Sequence, residues 1–93
     1  MSILSVLDIK NKIKKLHGWK YKNGAIIKDY SFSSYMKSID FISFLAKISE
    51  ENNHHPDMVV GWCKITVSFT SHDKGGVTES CIQMAREADK IYM

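Results

Sequence analysis

Three of the four histidines lie where side chains can carry out acid–base chemistry. His54 and His55 follow a polar run and directly precede Pro56, while His72 lies just before a glycine-containing loop. Proline disfavours helical backbone at the residue before it, so a helix is predicted to end at His54 and His55. Loops at the ends of regular elements commonly carry functional side chains. Because imidazole titrates near neutral pH, one histidine of this set can donate a proton while another accepts one.

The predicted helix end gives these histidines electrostatic neighbours. The negative end of the helix dipole favours an imidazolium at His54 and His55, which suits a general acid. Glu50 lies four residues before His54, one helical turn away, and is expected to orient it or to stabilise its charge. The alternative is that Glu50 is only a charge on the helix surface and that the two histidines cap helix carbonyls.

Other chemistries have weaker support. Glu50, His54 and His72 have the composition of a metal site with two histidines and one carboxylate. Three dispersed ligands are a weak signature, however, and the adjacent His54 and His55 point in different directions. We therefore predict no metal and no cofactor. The sequence shows no nucleophile motif and no phosphate-binding glycine loop, so acid–base catalysis on a neutral substrate is the simplest enzymatic hypothesis.

Composition limits the class of protein. The 93 residues predict a single domain over 1–93, and a net charge of +3 is mild. Lys12, Lys14 and Lys15 are more typical of a solvated helix face than of a nucleic-acid patch, so no direct nucleic-acid contact is expected. The amino-terminal residues do not resemble a signal peptide, and no apolar run approaches the roughly 18 residues of a membrane span. We expect a cytoplasmic protein with free cysteines and no membrane partner.

Helical spacing of apolar residues predicts three helices. The first covers 3–16, the second covers 35–51 after the N-cap candidates Ser33 and Ser34, and the third follows Thr78. Along the first helix, the residues that follow the helical period are Ile3, Val6, Leu7, Lys10, Ile13 and Leu16 or His17.

The 35–51 helix has an unusually wide apolar surface. Tyr35, Ile39 and Ile42 begin one stripe, and Phe41 and Leu45 belong to a second stripe beside it. A helix that packs on one sheet needs only about 100° of apolar arc. The excess predicts a homodimer or homotetramer formed through this helix. The alternative is a deeply buried helix in a small monomer.

Two hairpins are predicted. Asn23-Gly24 is the strongest short hairpin signal and places Lys22 opposite Ala25. The second turn lies at Val60-Gly61 or at Cys63-Lys64, and we predict Cys63-Lys64 because it gathers the apolar residues on one face. The two faces expected to be buried consist of Trp19, Tyr21, Ile26, Tyr30 and Phe32 in the first hairpin, and of Met58, Val60, Trp62, Ile65, Val67 and Phe69 in the second.

These elements together predict the order α-β-β-α-β-β-α. The fold class is α+β, a four-stranded antiparallel sheet with helices on one face. His72 shares the parity of the polar face of its strand, so it is expected to be accessible.

Three parts of the sequence carry a resemblance to a known family. They are Glu50-x-x-x-His54-His55-Pro56-Asp57, the aromatic Trp62, and Thr70-Ser71-His72-Asp73-x-Gly75-Gly76-Val77-Thr78. In these parts the chain resembles the pterin-4a-carbinolamine dehydratase family. Gly18-Trp19 and the Tyr30-x-Phe32-x-x-Tyr35 pattern add to the resemblance, which spans nearly the whole chain. The resemblance implies the same α-β-β-α-β-β-α fold. It also implies removal of water from 4a-hydroxytetrahydropterin to give quinonoid dihydropterin, a step in recycling the cofactor of aromatic amino-acid hydroxylases.

The resemblance also implies roles for individual residues. His54 and His72 match the acid/base pair, and His55 matches a substrate-binding and auxiliary histidine. Pro56 shapes the loop, Glu50 belongs with the substrate-binding residues, and Trp19 is placed by analogy near the mouth of the pocket.

The chain departs from the family pattern at Cys81 and, mildly, at Trp62, where tyrosine is common, and at Ser71, where threonine is usual. The family usually has an aspartate nine residues after the last histidine, where this chain has Cys81. The absence of this aspartate is expected to lower the stability of the third helix or to remove the help that a carboxylate gives to His72. Animal members of the family also act as dimerisation cofactors of a homeodomain transcription factor, so a non-catalytic binding module is the alternative function.

Overall fold

The computed structural model describes residues 2–92, and its elements follow the predicted order. Three helices alternate with two pairs of strands, which confirms the predicted α+β class. The elements are α1 (Val6–Ile13), β1 (Lys20–Lys22), β2 (Ala25–Ser31), α2 (Tyr35–Asn52), β3 (Asp57–Gly61), β4 (Lys64–Phe69) and α3 (Glu79–Tyr92).

The four strands form one antiparallel sheet in the order β1-β2-β4-β3. The first hairpin has the predicted register, with Lys22 opposite Ala25. Asn23 and Gly24 both have positive φ angles, of 50° and 78°. A two-residue turn with this backbone matches the twist of the strands, which is why the Asn-Gly pair predicts it well. The two hairpins join through β2 and β4, which are distant in sequence.

The turn of the second hairpin differs from the prediction by one residue. Gly61 pairs with Lys64, so the turn residues are Trp62 and Cys63, with Cys63 at a φ of 59°. The predicted turn at Cys63-Lys64 is wrong, and so is the placement of Trp62 on the buried face, since its side chain is 83% exposed. When the turn moves by one residue, each residue of β3 pairs with a residue two positions away in β4. Because side chains alternate between the two faces, a shift of two leaves every side chain on the same face. Met58 and Val60 therefore still share a face with Val67 and Ile65.

Helix α1 is shorter than predicted and buries a different stripe. Ser5 caps it, its Oγ accepting the backbone N–H of Asp8 at 3.1 Å, so Ile3 and Leu4 precede the helix. Leu4 instead donates its N–H to the carbonyl of Val77 at 2.8 Å. The buried residues are Ile9 and Ile13, whereas Ile3, Val6 and Leu7 are exposed. The predicted stripe is therefore correct at Ile13 and at Leu16, which packs against the core after the helix ends, and wrong at Ile3, Val6 and Leu7.

Helix α2 begins where the sequence predicts, because Ser34 Oγ accepts the N–H of Lys37 at 3.2 Å. Its inner side places Phe41 and Leu45 in the core. The core lies between one face of the sheet and the helices; its largest fully buried side chains include Tyr30, Phe69, Ile9, Ile26, Leu45, Ile65, Ile82 and Met84.

Helix α3 is tied to the sheet by one carboxylate. Asp89 accepts hydrogen bonds from Trp19 Nε1 at 3.1 Å, Lys28 Nζ at 2.8 Å and the Tyr30 hydroxyl at 2.5 Å. Burial, followed by the contact with Asp89, raises the pKa of Tyr30, so its hydroxyl stays a donor. This cluster fixes the carboxyl-terminal half of α3 against β2. Between residues 2 and 92, no helix has both the length and the apolar character to cross a membrane.

Candidate active site

The end of helix α2 positions His54. The helix stops after Asn52 because Asn53 adopts a left-handed conformation with a φ of 48°, a common way to end a helix. The N–H of His54 then donates to the carbonyl of Ser49 at 3.0 Å. The imidazole ring stacks on Phe69, the last residue of β4, with centroids 6.0 Å apart and planes 21° apart. These contacts fix both the backbone and the ring of His54.

The ring of His54 also contacts helix α3. Its Nε2 lies 3.4 Å from Cys81 Sγ, and the cysteine is completely buried. The thiol belongs to a buried polar cluster, since it lies 3.5 Å from Ser71 Oγ, which is 2.7 Å from Thr78 Oγ1. Cys81 thus contacts His54 and not His72, to which the resemblance had pointed.

His72 lies on a tight loop after β4. Ser71 and Gly76 close this loop through an N–H to carbonyl hydrogen bond of 2.9 Å, and Gly75, with a φ of 79°, allows the turn. The His72 side chain is 64% exposed, in agreement with its predicted accessibility. Its Nε2 lies 3.2 Å from Oδ2 of Asp57, the first residue of β3.

A polar cavity of about 190 Å³ lies between these two segments. His54 contributes to one side, and Ser71 and Asp73, the two neighbours of His72 in sequence, contribute to the other. A second cavity of about 280 Å³ adjoins His54 along α3, where Met84 and Gln83 line it. A wider cavity of about 430 Å³ lies on the opposite face of the sheet, lined by Lys20 and Lys22 among others, and contains none of the three clustered histidines. His54 therefore lines the polar cavity, whereas His72 is not among its lining residues although both of its sequence neighbours are.

The surroundings of His54 shift its pKa from that of a free histidine. Burial lowers the pKa of His54, repulsion from His72 lowers it further, Asp73 opposes this by raising it, and His55 adds a smaller lowering. These couplings place His54 and His72 within electrostatic reach of each other. The direction of this shift is opposite to the one expected from the helix dipole, because burial disfavours the charged ring.

Glu50 has a different partner from the predicted one. Its Oε2 contacts Nε2 of His55, and both side chains are more than half exposed. Because the chain turns at Asn53, the expected contact between Glu50 and His54 is replaced by this one. Pro56 then leads directly into β3 and fixes the direction of the loop. Glu50, His55 and Pro56 thus lie beside the cavity histidine without lining either cavity next to it.

Trp19 does not lie at a pocket mouth. Its side chain is only 5% exposed, donates to Asp89, and packs on Phe69 with ring centroids 5.9 Å apart. The prediction fails because Trp19 is held in the core by a partner 70 residues away. Its ring packs on the same Phe69 that stacks on His54.

Sequence reasoning missed two residues that shape the site. Phe69 stacks on His54, beyond its predicted place on the apolar face, and Asp57 contacts His72. A usable signal was present for Asp57, because it directly follows Pro56 at the start of a strand paired with the strand that leads to His72. Within the described part of the chain, no group of three or more histidine, cysteine, aspartate or glutamate side chains is arranged to hold a metal ion.

The fold and the site define a class: a small α+β protein in which a partly buried histidine at a helix end shares a polar cavity with a histidine-bearing loop. The chain matches the family of pterin 4 alpha carbinolamine dehydratases over residues 2–91 and belongs to that family. A relative from Metallosphaera sedula is 33% identical over 98% of this chain and 95% of its own length. A relative from Thermosynechococcus vestitus is 35% identical over 89% and 87%, respectively. Both are provisionally named pterin-4-alpha-carbinolamine dehydratases.

Solved structures agree with the fold. A Brucella melitensis protein described as a transcriptional coactivator/pterin dehydratase superimposes with a TM-score of 0.95 at 26% identity, covering 99% of this chain and all of its own. A pterin dehydratase-like protein, described as a RuBisCO assembly factor in the alpha-carboxysome, superimposes with a TM-score of 0.69 at 24% identity over 83% of this chain and 92% of its own. The second likeness concerns the fold alone.

Proposed function

We propose that this protein is a hydro-lyase that removes water from 4a-hydroxytetrahydropterin to give quinonoid dihydropterin, as one step of tetrahydropterin recycling. The observation that carries the proposal is the shared cavity, to which His54 and the two neighbours of His72 contribute. Membership of the family supports the substrate class. We also keep the expectations of one catalytic domain and a cytoplasmic location.

The proposed chemistry needs no net proton from the protein. The substrate loses the hydroxyl at C4a and a proton from a ring nitrogen, and together these make the released water. One imidazole takes up the ring proton while another assists the departing oxygen, and each such group typically accelerates a reaction by about 10²–10⁴-fold. His54 and His72 are the proposed pair, with His55 as an auxiliary group. Solvent at the exposed His72 can reset the protonation states.

The test is a dehydration assay on purified protein. Wild type should exceed the uncatalysed rate, and His54→Gln and His72→Gln should each lower the acceleration by at least about tenfold. His17→Gln is the matched control, because His17 is exposed and outside the cluster. A wild-type rate equal to the uncatalysed one would refute the proposal, and so would equal losses in all three variants.

A second role, as a non-catalytic binding or coactivator module, is favoured by a separate observation. The outer side of α2 exposes Tyr35, Met36 and Phe44, and the second hairpin exposes Trp62. The Brucella protein, with which the chain shares its fold, is described as a coactivator as well as a dehydratase. The same apolar side supports the proposed homodimer or homotetramer through α2.

Light scattering on the intact protein tests the oligomer. Wild type should have at least twice the monomer mass, and Phe44→Ser should shift the population toward monomer. A wild-type monomer at all concentrations would exclude the oligomer. A dehydratase-inactive wild type that nevertheless forms a stable oligomer would favour the binding module.

A further inference from the structure

The contact between His54 and Cys81 carries a more specific inference, which deepens the proposed function. We infer that Cys81 is a positioning residue for His54: its thiol donates to Nε2 and holds the ring in the neutral tautomer that carries its proton on Nδ1. The starting observation is the 3.4 Å separation between Sγ and Nε2.

The direction of this hydrogen bond follows from the partners of the thiol. A thiol is a weak donor and a weak acceptor, whereas the unprotonated nitrogen of imidazole is a strong acceptor. Ser71 Oγ lies 3.5 Å from Sγ and 2.7 Å from Thr78 Oγ1. In a chain in which Thr78 donates to Ser71, Ser71 to Cys81, and Cys81 to His54, Ser71 and Cys81 each accept one hydrogen bond and donate one. The reverse direction would set an imidazole N–H against a poor acceptor in a fully buried place.

The surroundings of His54 favour the neutral ring. The titratable groups that face it are His55 on the same loop, His72 and Asp73 on the loop after β4, and Cys81 on α3. Lys74 and Glu79 line the adjoining cavities. A thiol adds no negative charge to this set, whereas the aspartate usual in the family would favour an imidazolium.

The tautomer decides what His54 offers to a molecule in the cavity. Nε2 is occupied by the buried thiol, and Nδ1 is directed away from Cys81. The substrate therefore meets an N–H donor at His54, suited to a hydrogen bond with the departing oxygen. The uptake of the ring proton then falls to His72, whose Nε2 is next to Asp57 and whose side chain is exposed.

The direct test is nitrogen-15 NMR of the histidine rings in the intact protein, which distinguishes the two tautomers. Above the titration of His54, wild type should show a protonated Nδ1 and an unprotonated Nε2. Cys81→Ser, which keeps a donor of similar size, should preserve this pattern, and Cys81→Ala should lose it. Cys81→Asp should raise the pKa of His54 relative to wild type. The matched control is Cys63→Ser, since Cys63 lies in the hairpin turn far from the ring.

A protonated Nε2 in wild type would overturn the inference, and so would an unchanged tautomer in a folded Cys81→Ala protein. If Cys81→Ala fails to fold, Cys81→Ser and Cys81→Asp decide: loss of the Nδ1–H tautomer in the serine variant, or an unraised pKa in the aspartate variant, would overturn it. In the dehydration assay, Cys81→Ala should lower the rate by about two- to tenfold while Cys81→Ser retains it. The tautomer is measured without turnover, so an inactive protein with the expected tautomer would refute the proposed function and leave this inference standing.

Discussion

Replacing Asp89 by alanine should destabilise the protein severely, although Asp89 lies outside the cavities around His54. The side chain accepts hydrogen bonds from Trp19, Lys28 and Tyr30, and the Trp19 and Tyr30 residues are at most 5% exposed. In Asp89→Ala these donors lose their acceptor, and the Lys28 ammonium, with an 11% exposed side chain, loses its counter-charge. The cluster also fixes α3, which carries Cys81, against the sheet.

The magnitude follows from these contacts. A hydrogen bond to a charged group contributes about 1.5–3 kcal/mol, and removing one partner of a buried ion pair costs about 3–5 kcal/mol. Because the three donors share one acceptor, their contributions do not add. We therefore expect Asp89→Ala to lower the free energy of unfolding by about 3–5 kcal/mol, a large part of the 5–15 kcal/mol of a typical domain.

Urea denaturation followed by far-ultraviolet circular dichroism measures this loss. Asp89→Asn should be less harmful, since its amide oxygen still accepts one hydrogen bond. Glu51→Ala, which removes an exposed carboxylate from α2, is the matched control and should leave the midpoint unchanged. A loss below about 1 kcal/mol in Asp89→Ala would refute the view that this cluster anchors α3.

Two further predictions concern stability. The pKa of His54 is lowered in the folded protein, so the unfolded chain takes up its proton first as the pH falls; the free energy of unfolding should therefore fall below about pH 6.5, and less so in His54→Gln, as measured by denaturation at several pH values. Gly24→Ala should cost about 1–2 kcal/mol in the same assay, because its φ is +78° while no atom lies within 4 Å of an added Cβ. A pH-independent difference between His54→Gln and wild type, or a neutral Gly24→Ala, would contradict these expectations.

Local signals in the sequence predicted local structure well. The turn at Asn23-Gly24 and the cap at Ser34 depend on residues adjacent in the chain, and both agree with the structure. The prediction of the buried side of α1 was wrong because its sequence offers two apolar arcs. The choice between them depends on Leu4 meeting Val77, which no local pattern contains.

The prediction of the turn in the second hairpin was wrong for a different reason. A turn at Trp62-Cys63 and a turn at Cys63-Lys64 give the same alternation of buried and exposed faces, so amphipathicity cannot distinguish them. The order of the strands could not be predicted from local patterns either, because β2 and β4 pair although the whole of α2 lies between them in the sequence.

The spacing of His54, His55 and His72 predicts which residues form the site but not their contacts. In the structure, His54 and the loop that carries His72 meet at one cavity. The partners of the histidines were not predictable, since Glu50 contacts His55 and the buried Cys81 reaches His54 across 27 residues. Such contacts depend on how α2, α3 and the loop after β4 meet, which the sequence pattern does not specify.

The central claim is that His54 and His72 serve one cavity that takes a pterin ring. The most direct measurement is the nitrogen-15 spectrum of the histidine rings during titration with a stable dihydropterin. The ring signals of His54 and His72 should shift together along one saturation curve, while those of the remote His17 stay in place. Shifts confined to one of the two rings, or equal shifts at His17, would contradict the claim.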